Sequence, residues 1–419
     1  MSKGQAEIKT FFRSRLLAWY KHHGRLLPWR ETTDPYRIWI SEIMLQQTRV
    51  DTVIPYYKRF LKRFPDVFAL ARAPLQDVLK TWENLGYYSR ARHLHAAAGI
   101  IVGRFGGRIP DTPEDIRTLP GIGDYTAGAI LSIAYGRAVP AVDGNVRRIL
   151  SRVFAIDRPV NDPRGQKHFF ELAASLVPGK RASDFNQALM DLGATICRAK
   201  NPDCGVCPLA SICLARRGGL QNDLPVSRKS PAIPHRQAVA AVVRNGKGLL
   251  LVVQRQAEGL LASLWKLPGG FVQDDENREA GLRRCVKEEL GLSIRVGKKI
   301  ASADHAYTHF RVTLHVYQGF PLSGKPTARG CQDWRWAAAA DLKKLPLSRI
   351  DRMAVALGAR ALGGGHLGFL GLAGKAAAEF VEVTALGRHD LAGFLGRGGG
   401  CLVLAGHLHH AAGTQAVDV

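Results

Sequence analysis

Four cysteines near the middle of the chain are the residues whose spacing points most directly to chemistry. They form the pattern C-x6-C-x2-C-x5-C, at Cys197, Cys204, Cys207 and Cys213. Four thiolates in so short a segment can surround one metal centre. Zinc is the competing interpretation, but its common spacing is two C-x2-C pairs, so the single tight pair favours a [4Fe–4S] cluster. The other cysteines, Cys285, Cys331 and Cys401, stand alone, which indicates a reducing compartment rather than a disulfide framework.

Two carboxylates in contrasting local sequences could serve as an acid and an ion. Glu42 lies one helical turn from Trp39 and Leu45, so it would leave an amphipathic helix beside apolar neighbours that raise its pKa. Asp143 precedes the apolar-periodic segment 146–154 and is predicted as a helix N-cap, where the helix dipole favours the ionised form. Glycoside hydrolysis uses such a pair. The competing interpretation of Glu42 is an ordinary glutamate on a helix.

A glycine-rich turn, LPGIGDYTAG at 119–128, has the form of a phosphate-binding loop. Gly121 and Gly123 would let the backbone approach a phosphate, and the helix that follows would point free N–H groups at the anion. A Gly-x-Gly turn alone is weak evidence, because most such turns are ordinary. With the following helix and the later Asp143-Gly144-Asn145 segment, it favours contact with a nucleic-acid backbone.

The apolar periodicity predicts a multidomain protein. Residues 1–217 are predicted as an all-α domain, because apolar residues recur three and four apart and Asp34-Pro35 is a helix start signal. Residues 218–236 are rich in glycine, proline and charge and predict a linker. Residues 351–419, rich in glycine and without proline, are predicted as a poorly ordered tail; a third small domain is the alternative.

Between the linker and the tail, the pattern at 237–350 predicts a compact α+β domain. Strands at Ala238–Val243 and Leu249–Val253 flank Asn245-Gly246, which predicts a β-hairpin because both turn positions favour positive φ. A helix at about 277–290 and a second strand pair near 309–318 complete this domain.

Composition and charge suggest the kind of partner. Lys and Arg number 59 against 35 Asp and Glu, a formal net charge of +24, which favours a polyanion such as DNA. A charged surface that only keeps the protein in solution is the alternative. The N-terminus shows no apolar signal core, and no apolar run is long enough to span a membrane. We therefore expect a cytoplasmic, nucleoid-associated monomer that binds no membrane.

The cysteine spacing and the glycine-rich turn resemble those of the helix-hairpin-helix glycosylases of the endonuclease III superfamily, whose [4Fe–4S] cluster is mainly structural. Members that also cut the DNA backbone carry a nucleophilic lysine where this chain has Tyr125. An amine there forms a Schiff base with the sugar, whereas a phenol cannot. The chain thus resembles the monofunctional branch, the MutY family of adenine DNA glycosylases.

The MutY motif S-E-x-M-L-Q-Q-T is matched at 41–48. The resemblance implies that Glu42 protonates adenine N7, that Asp143 is the second carboxylate with Asn145 as its hydrogen-bonding companion, and that Tyr125 assists. It also implies a set of DNA-contacting residues that wedge into the base stack, hold the partner strand or line the adenine pocket: Leu45, Gln46, Gln47, Thr48 and Tyr87, with Arg30 and Gln187 in the pocket. Leu45 and Tyr87 could instead be ordinary core residues.

Residues 270–292 resemble the Nudix box, whose acidic helix binds Mg²⁺ at a diphosphate. Glu276, Arg284, Glu288 and Glu289 match the box, but Cys285 replaces a glutamate that is a usual metal ligand. This departure makes diphosphate hydrolysis doubtful. The module resembles the C-terminal domain of the MutY family, which reads 8-oxoguanine. His305-Ala306-Tyr307-Thr308-His309 resembles that domain's H-x-F-S-H loop, so that Thr308 would bond the oxidised base and His309 would support it.

The prediction is therefore a base excision repair glycosylase that removes adenine mispaired with 8-oxoguanine or guanine in double-stranded DNA. Two alternatives remain at this stage. One is a Nudix-type hydrolase of oxidised nucleotides fused to a DNA-binding domain, and the other is a catalytically silent protein that binds DNA lesions.

Overall fold

A computed structural model of the chain describes residues 3–228 and 232–361. These residues form two compact units that separate near residue 231. The first unit is helical and the second is α+β, as the sequence predicted. Cys401 and the part of the predicted tail at 362–419 lie outside the described residues.

The first unit is built from helices joined by short turns. In order they are α1 (Lys3–His23), α2 (Pro35–Leu45), α3 (Val50–Arg63), α4 (Val67–Arg72), α5 (Leu75–Thr81), α6 (Tyr88–Phe105), α7 (Pro113–Ile116), α8 (Asp124–Tyr135), α9 (Gly144–Phe154), α10 (Pro163–Leu176), α11 (Ala182–Thr195) and α12 (Leu214–Arg217). One buried core lies between α1, α9, α10 and α11, and includes Phe12, Leu150, Phe169, Phe185 and Leu192.

Short polar side chains fix the starts of the helices that matter here. The side chain of Asp34 accepts a hydrogen bond from the Tyr36 N–H, with Pro35 in the first turn, and so begins α2 as predicted. Asp143 accepts from the Val146 N–H and begins α9. These two caps determine the residues at which α2 and α9 begin.

The helix-hairpin-helix consists of α7, a tight turn and α8. Gly121 has φ +80°, and a Cβ there would lie 2.9 Å from the Cβ of His93, so this position needs glycine for both conformation and space. Gly128 lets α8 approach the chain closely, since a Cβ would lie 2.0 Å from the Pro140 carbonyl oxygen. The hairpin is thus held by contacts that only glycine permits.

The second unit has two sheets. Its strands are β1 (His235–Val243), β2 (Leu250–Gln254), β3 (Trp265–Lys266), β4 (Gly269–Phe271), β5 (Ser293–Ala306), β6 (Arg311–Ser323) and β7 (Asp333–Ala337), and its helices are α13 (Arg278–Leu290), α14 (Ala339–Leu342) and α15 (Arg349–Ala361). One sheet has the order β4-β1-β6-β5 and the other has β3-β2-β7. β1 and β6 are parallel, and β5 and β6 form a long antiparallel pair. α13 confirms the predicted helix at 277–290.

The predicted hairpin between β1 and β2 does not continue as a ladder; a single antiparallel bridge, between Arg244 and Leu250, closes the loop. Both strands exist, but β1 pairs with β4 and β6, whereas β2 pairs with β3 and β7 in the other sheet. The Asn245 side chain instead accepts from the N–H groups of Lys247 and Leu249, both at 3.0 Å, and the left-handed residue is Gly248, with φ +74°. This Asx-type loop carries the chain from one sheet to the next.

Three predicted boundaries also need correction. Residues 351–361, placed in the tail, form most of α15, whose Ile350, Ala354 and Val355 are buried in the core of the second unit. The first part of the predicted linker belongs to the helical unit, because the Arg152 side chain donates to the Leu224 carbonyl at 2.9 Å and the Val160 N–H donates to the Val226 carbonyl at 2.9 Å. Strand β1 already begins at His235, inside the segment predicted as a linker.

Candidate active site and cluster loop

Glu42 lies on α2 inside the helical unit, and its side chain is buried. The Tyr125 hydroxyl donates to Glu42 Oε2 at 2.8 Å. Burial raises the pKa of Glu42 from 4.5 to about 7, opposed by the Tyr125 hydrogen bond and by Arg30 and supported by the negative charge of Asp143. Glu42 is therefore a carboxyl group that can hold a proton near neutral pH, as the apolar sequence around it predicted.

Tyr125 stands at the second position of α8, directly after the hairpin glycines. Burial and the neighbouring carboxylates Glu42 and Asp143 raise its pKa well above the usual value, so the phenol stays neutral and donates. Its oxygen also lies 3.7 Å from Met190 Sδ on α11. Tyr125 thus links the hairpin helix to the buried acid on α2.

Asp143 is half-exposed at the start of α9, and each of its oxygens has a hydrogen-bond donor. Oδ1 accepts from the Val146 N–H and Oδ2 accepts from Asn145 Nδ2, both at 2.8 Å. Arg148 Nη2 in turn donates to Asn145 Oδ1 at 2.7 Å. A Cβ at Gly193 would lie 2.5 Å from Asn145 Cβ, so α11 approaches closely there. Donors from the backbone and from Asn145 therefore fix the orientation of the Asp143 side chain.

The cysteine loop follows α11 and is tied to α9 by two arginines. Arg148 Nε donates to the Cys197 carbonyl at 2.8 Å, and Arg152 Nη1 lies 3.4 Å from Cys197 Sγ. Arg152 also donates to the carbonyl groups of Arg198 and Ala199, at 2.6 and 3.0 Å. Neither arginine was identified from the sequence. Their spacing after Asn145, at one and two helical turns along α9, is the signal that could have found them.

The four predicted cysteine ligands surround one cavity, whose other lining is largely apolar: Ile149, Val153, Leu192, Ile196 and Leu209. Burial raises the pKa of Cys207, a backbone hydrogen bond at Leu209 opposes the rise and the other three cysteines support it, and the result is a pKa of about 12. Four thiols that line one cavity suit a cationic cluster, which would bind them as thiolates. The residues fit a [4Fe–4S] cluster, and Cys197, Cys204, Cys207 and Cys213 would hold it.

Arg30 and Gln187, predicted for the adenine pocket, both make internal hydrogen bonds. Arg30 donates to both oxygens of the fully buried Asp191, at 2.5 and 2.8 Å, and Arg25 donates to the same carboxylate. Gln187 Nε2 donates to Ser183 Oγ at 3.0 Å. Arg30 is close enough to Glu42 to oppose the rise of its pKa. A role for Arg30 and Gln187 in binding adenine stays a prediction.

The predicted wedge residues lie at the end of α2, on the loop after it and on the loop before α6. Gln47 is exposed with φ 53°, and Leu45, Gln46 and Thr48 are half-buried. Tyr87 is 43% exposed and has φ 46°. Gln46 Nε2 donates to Thr126 Oγ1 at 3.1 Å, which connects the first loop to α8. The Gln47 amide and the Tyr87 ring are thus exposed on these two loops.

The residues predicted to contact 8-oxoguanine lie at a strand turn of the second unit. Thr308 and His309 lie between β5 and β6, with Thr308 half-buried and His309 exposed. The Tyr307 ring packs against His305 and Phe310, with ring centroids 4.6 and 4.8 Å apart. The Tyr307 ring therefore packs within the turn, on which the His309 side chain is exposed and Thr308 is half-buried.

The Nudix-like box does not fit Mg²⁺. Lys266 is buried, with its ammonium 2.5 Å from Glu289 Oε1, and the Gly269 N–H donates to Glu289 Oε2 at 3.0 Å. Arg284 pairs with Glu276, and with Glu288 at 3.0 Å. Burial raises the pKa of the Cys285 thiol, which keeps it neutral. Cations of the chain itself thus neutralise the carboxylates that a metal would need.

Family models match three segments of the chain. Residues 40–173 match the HhH-GPD superfamily of base excision DNA repair proteins, and residues 197–213 match the iron–sulfur binding domain of endonuclease III. Residues 239–357 match a NUDIX domain, which agrees with α15 as part of the second unit. Together with the hairpin, the cysteine loop and the buried acid, these matches define a DNA glycosylase with a Nudix-like domain. The protein contains a [4Fe–4S] cluster and binds DNA.

Similar proteins narrow the class. The mouse (Mus musculus) protein named adenine DNA glycosylase is 36% identical over 385 residues, 78% of this chain and 74% of that protein. The Schizosaccharomyces pombe protein of the same name is 30% identical, over 83% of this chain and 88% of that protein. A Buchnera aphidicola protein of that name is 38% identical, over 63% and 75%. The chain belongs to the adenine DNA glycosylase family.

Within the described residues, no helix is both long and apolar enough to cross a bilayer.

Proposed function

We propose that the protein hydrolyses the N-glycosidic bond of adenine opposite 8-oxoguanine or guanine in duplex DNA, leaving an abasic site in an intact strand. The observation that carries this proposal is the buried Glu42, with a pKa raised to about 7, hydrogen-bonded to the neutral phenol of Tyr125. Neutral adenine is a poor leaving group, and a carboxyl that keeps its proton at physiological pH can protonate it.

In this mechanism the two carboxylates take different roles. Glu42 gives its proton to N7 of an extruded adenine as the C1′–N9 bond breaks, and the bonding electrons leave with the base. The sugar becomes an oxocarbenium ion, which the ionised Asp143 stabilises. Water then adds to C1′ and loses a proton, which returns to the Glu42 carboxylate and restores the acid. Asn145 orients Asp143 through its 2.8 Å hydrogen bond.

Tyr125 limits the reaction to base removal. A lysine at this position of the hairpin helix would form a Schiff base with the sugar and lead to strand cleavage. The Tyr125 phenol instead donates to Glu42 and holds its carboxyl group in place. We therefore propose a monofunctional enzyme. The cluster, when bound, holds the loop of residues 197–213 in shape and supplies no proton or electron to this reaction.

We propose that the unit at 232–361 reads the partner base. Thr308 and His309 present a hydroxyl and a ring at the turn between β5 and β6, where the hydroxyl can bond an oxidised purine. The paired Lys266 and Glu289 argue against diphosphate hydrolysis by this unit. Since the substrate is the cell's DNA, we propose a nucleoid-associated cytoplasmic location.

A single-turnover assay tests the proposal. The holoprotein is mixed in excess with duplexes that contain one A:8-oxoguanine, one A:G or one A:T pair. We expect adenine release from the first two, faster with 8-oxoguanine, and strand breaks only after hot alkali. Borohydride should trap no covalent adduct. If the iron-loaded protein leaves adenine attached to every duplex, the proposal is wrong; cleavage without alkali would overturn the monofunctional assignment.

A further inference from the structure

Arg90 on α6 is a buried cation that none of the proposed steps uses. It is 7% exposed and its guanidinium has no carboxylate partner among the bonds that hold it. Nη1 donates to the carbonyl groups of Ile43 and Met44, at 3.0 and 2.8 Å, and to that of Gln46. Nη2 donates to Thr48 Oγ1 at 3.1 Å and to the Leu85 and Gly86 carbonyls at 3.3 and 3.2 Å.

These acceptors lie in two separate segments of the chain. Ile43, Met44, Gln46 and Thr48 belong to the end of α2 and the loop after it, whereas Leu85 and Gly86 belong to the loop before α6. The rings of Trp82 and Tyr87 each lie 5.4 Å from the guanidinium carbon. Only a planar fork of N–H donors reaches so many acceptors at once, and an ammonium group cannot.

Each loop contains one residue that is neither glycine nor asparagine and has a left-handed backbone; Asn84 and Gly86, in the loop before α6, also have positive φ, which their residue types tolerate. Gln47 has φ 53° and Tyr87 has φ 46°, and neither is a glycine or an asparagine. A left-handed residue of this kind persists only where its surroundings enforce it. Arg90 bonds the residues on both sides of Gln47 and the residue directly before Tyr87. One guanidinium therefore holds both strained positions.

We propose that Arg90 is a positioning residue that holds Gln47 and Tyr87 in register, so that both loops enter the DNA stack as one preformed wedge. This inference rests on the proposed function, because it assigns a source for the adenine extrusion that the chemistry needs. Because the wedge is already formed, adenine extrusion does not have to bear the entropic cost of ordering two loops. Arg90 then affects extrusion and leaves proton transfer by Glu42 unchanged.

The test compares Arg90→Lys with a matched control, Arg13→Lys. Arg13 donates to the carbonyls at the end of α10, of Leu176 at 2.7 Å and of Ser175 at 3.0 Å, and touches neither loop. Extrusion is measured in a Glu42→Gln background, with the fluorescent analogue 2-aminopurine in place of adenine opposite 8-oxoguanine. We expect Arg90→Lys to lower the extruded fraction about tenfold and Arg13→Lys to leave it unchanged.

A second readout separates extrusion from chemistry. In the active protein, Arg90→Lys should slow single-turnover release from A:8-oxoguanine about tenfold, but should change release from an adenine already unstacked in a three-nucleotide bulge less than twofold. Equal slowing on both substrates would overturn the proposal. So would an unchanged extruded fraction.

Two further outcomes are distinguished by controls in the same assay. If the unmodified protein releases no adenine, the proposed function itself fails. If the unmodified protein releases adenine and Arg90→Lys releases it at the same rate, only this inference fails. Folding is followed by iron absorbance and the thermal midpoint. Should Arg90→Lys lose its cluster, Arg90→Gln, which keeps N–H donors without the charge, takes its place. If neither variant folds, Arg90 serves folding alone and the inference is wrong.

Discussion

Replacing Glu42 with glutamine should abolish adenine release and, at alkaline pH, make the protein more stable. Glutamine has nearly the same shape, and its amide oxygen can still accept the Tyr125 hydroxyl that Glu42 now accepts at 2.8 Å. The amide cannot give a proton to adenine, so the rate should fall about 10²–10⁴-fold, the usual contribution of general acid catalysis. Binding to the duplex should remain.

The stability change follows from the raised pKa of Glu42. Because the folded state holds this proton up to about pH 7 and the unfolded chain loses it near 4.5, folding becomes less favourable as pH rises between these values. The full penalty above pH 7 is about 3 kcal/mol, at about 1.4 kcal/mol per pH unit. Glutamine carries no such penalty. Its advantage should therefore grow by about 2 kcal/mol between about pH 5.5 and 8.

Thermal midpoints of the two holoproteins across this pH range measure the effect. About 2 kcal/mol corresponds to roughly 6 °C for a unit of this size. Glu171→Gln, on the exposed face of α10, is the control and should show no such trend. In the unmodified enzyme, single-turnover release should fall about tenfold per pH unit above about pH 7. A midpoint difference that does not vary with pH would show that Glu42 is not held protonated, and the acid assignment would fail.

Three other predictions concern the rest of the chain. Asp143→Asn should lower release at least about a hundredfold with duplex affinity kept, checked by single-turnover and filter-binding assays; normal release would remove its role at the cation. Cys204→Ser should lower iron content and DNA affinity, checked by absorbance and binding, and an iron-free yet fully active protein would contradict a structural cluster. A chain ending at residue 361 should keep lesion preference, whereas one ending at 348 should lose it and unfold its second unit at lower temperature; equal behaviour would mean that α15 is dispensable.

The features that the sequence predicted correctly depend on short stretches of chain. The Asp34 and Asp143 caps, the α13 helix and the cysteine spacing each involve residues within a few turns of one another. Helix periodicity and capping chemistry determine these features before any tertiary contact forms. The apolar residues around Glu42 on α2 also predicted a raised pKa, but its cause is burial in the folded unit, which is a tertiary effect.

The errors arose where a distant segment decided the outcome. Asn245-Gly246 has the composition of a hairpin turn, yet β1 takes β4 and β6 as partners, because β6 offers a ladder along the whole of β1, from His235 to Val243. Residues 351–361 adjoin a glycine-rich segment, so composition alone predicts that they belong to the tail. Their helix α15 forms because Ile350, Ala354 and Val355 fill the core beneath both sheets. Neither choice is visible in a local window.

The candidate site shows the same division at the level of single hydrogen bonds. Asp143 accepts hydrogen bonds from Val146 and Asn145, its neighbours in sequence, so its orientation could be inferred from α9 alone. The Tyr125 hydroxyl, 83 residues away in sequence, donates to Glu42, and Arg90 donates to acceptors on two loops. Burial within the packed unit raises the pKa of Glu42, whereas Asp143 is oriented by its own helix. The pair of side chains is therefore complete only after the helical unit has folded.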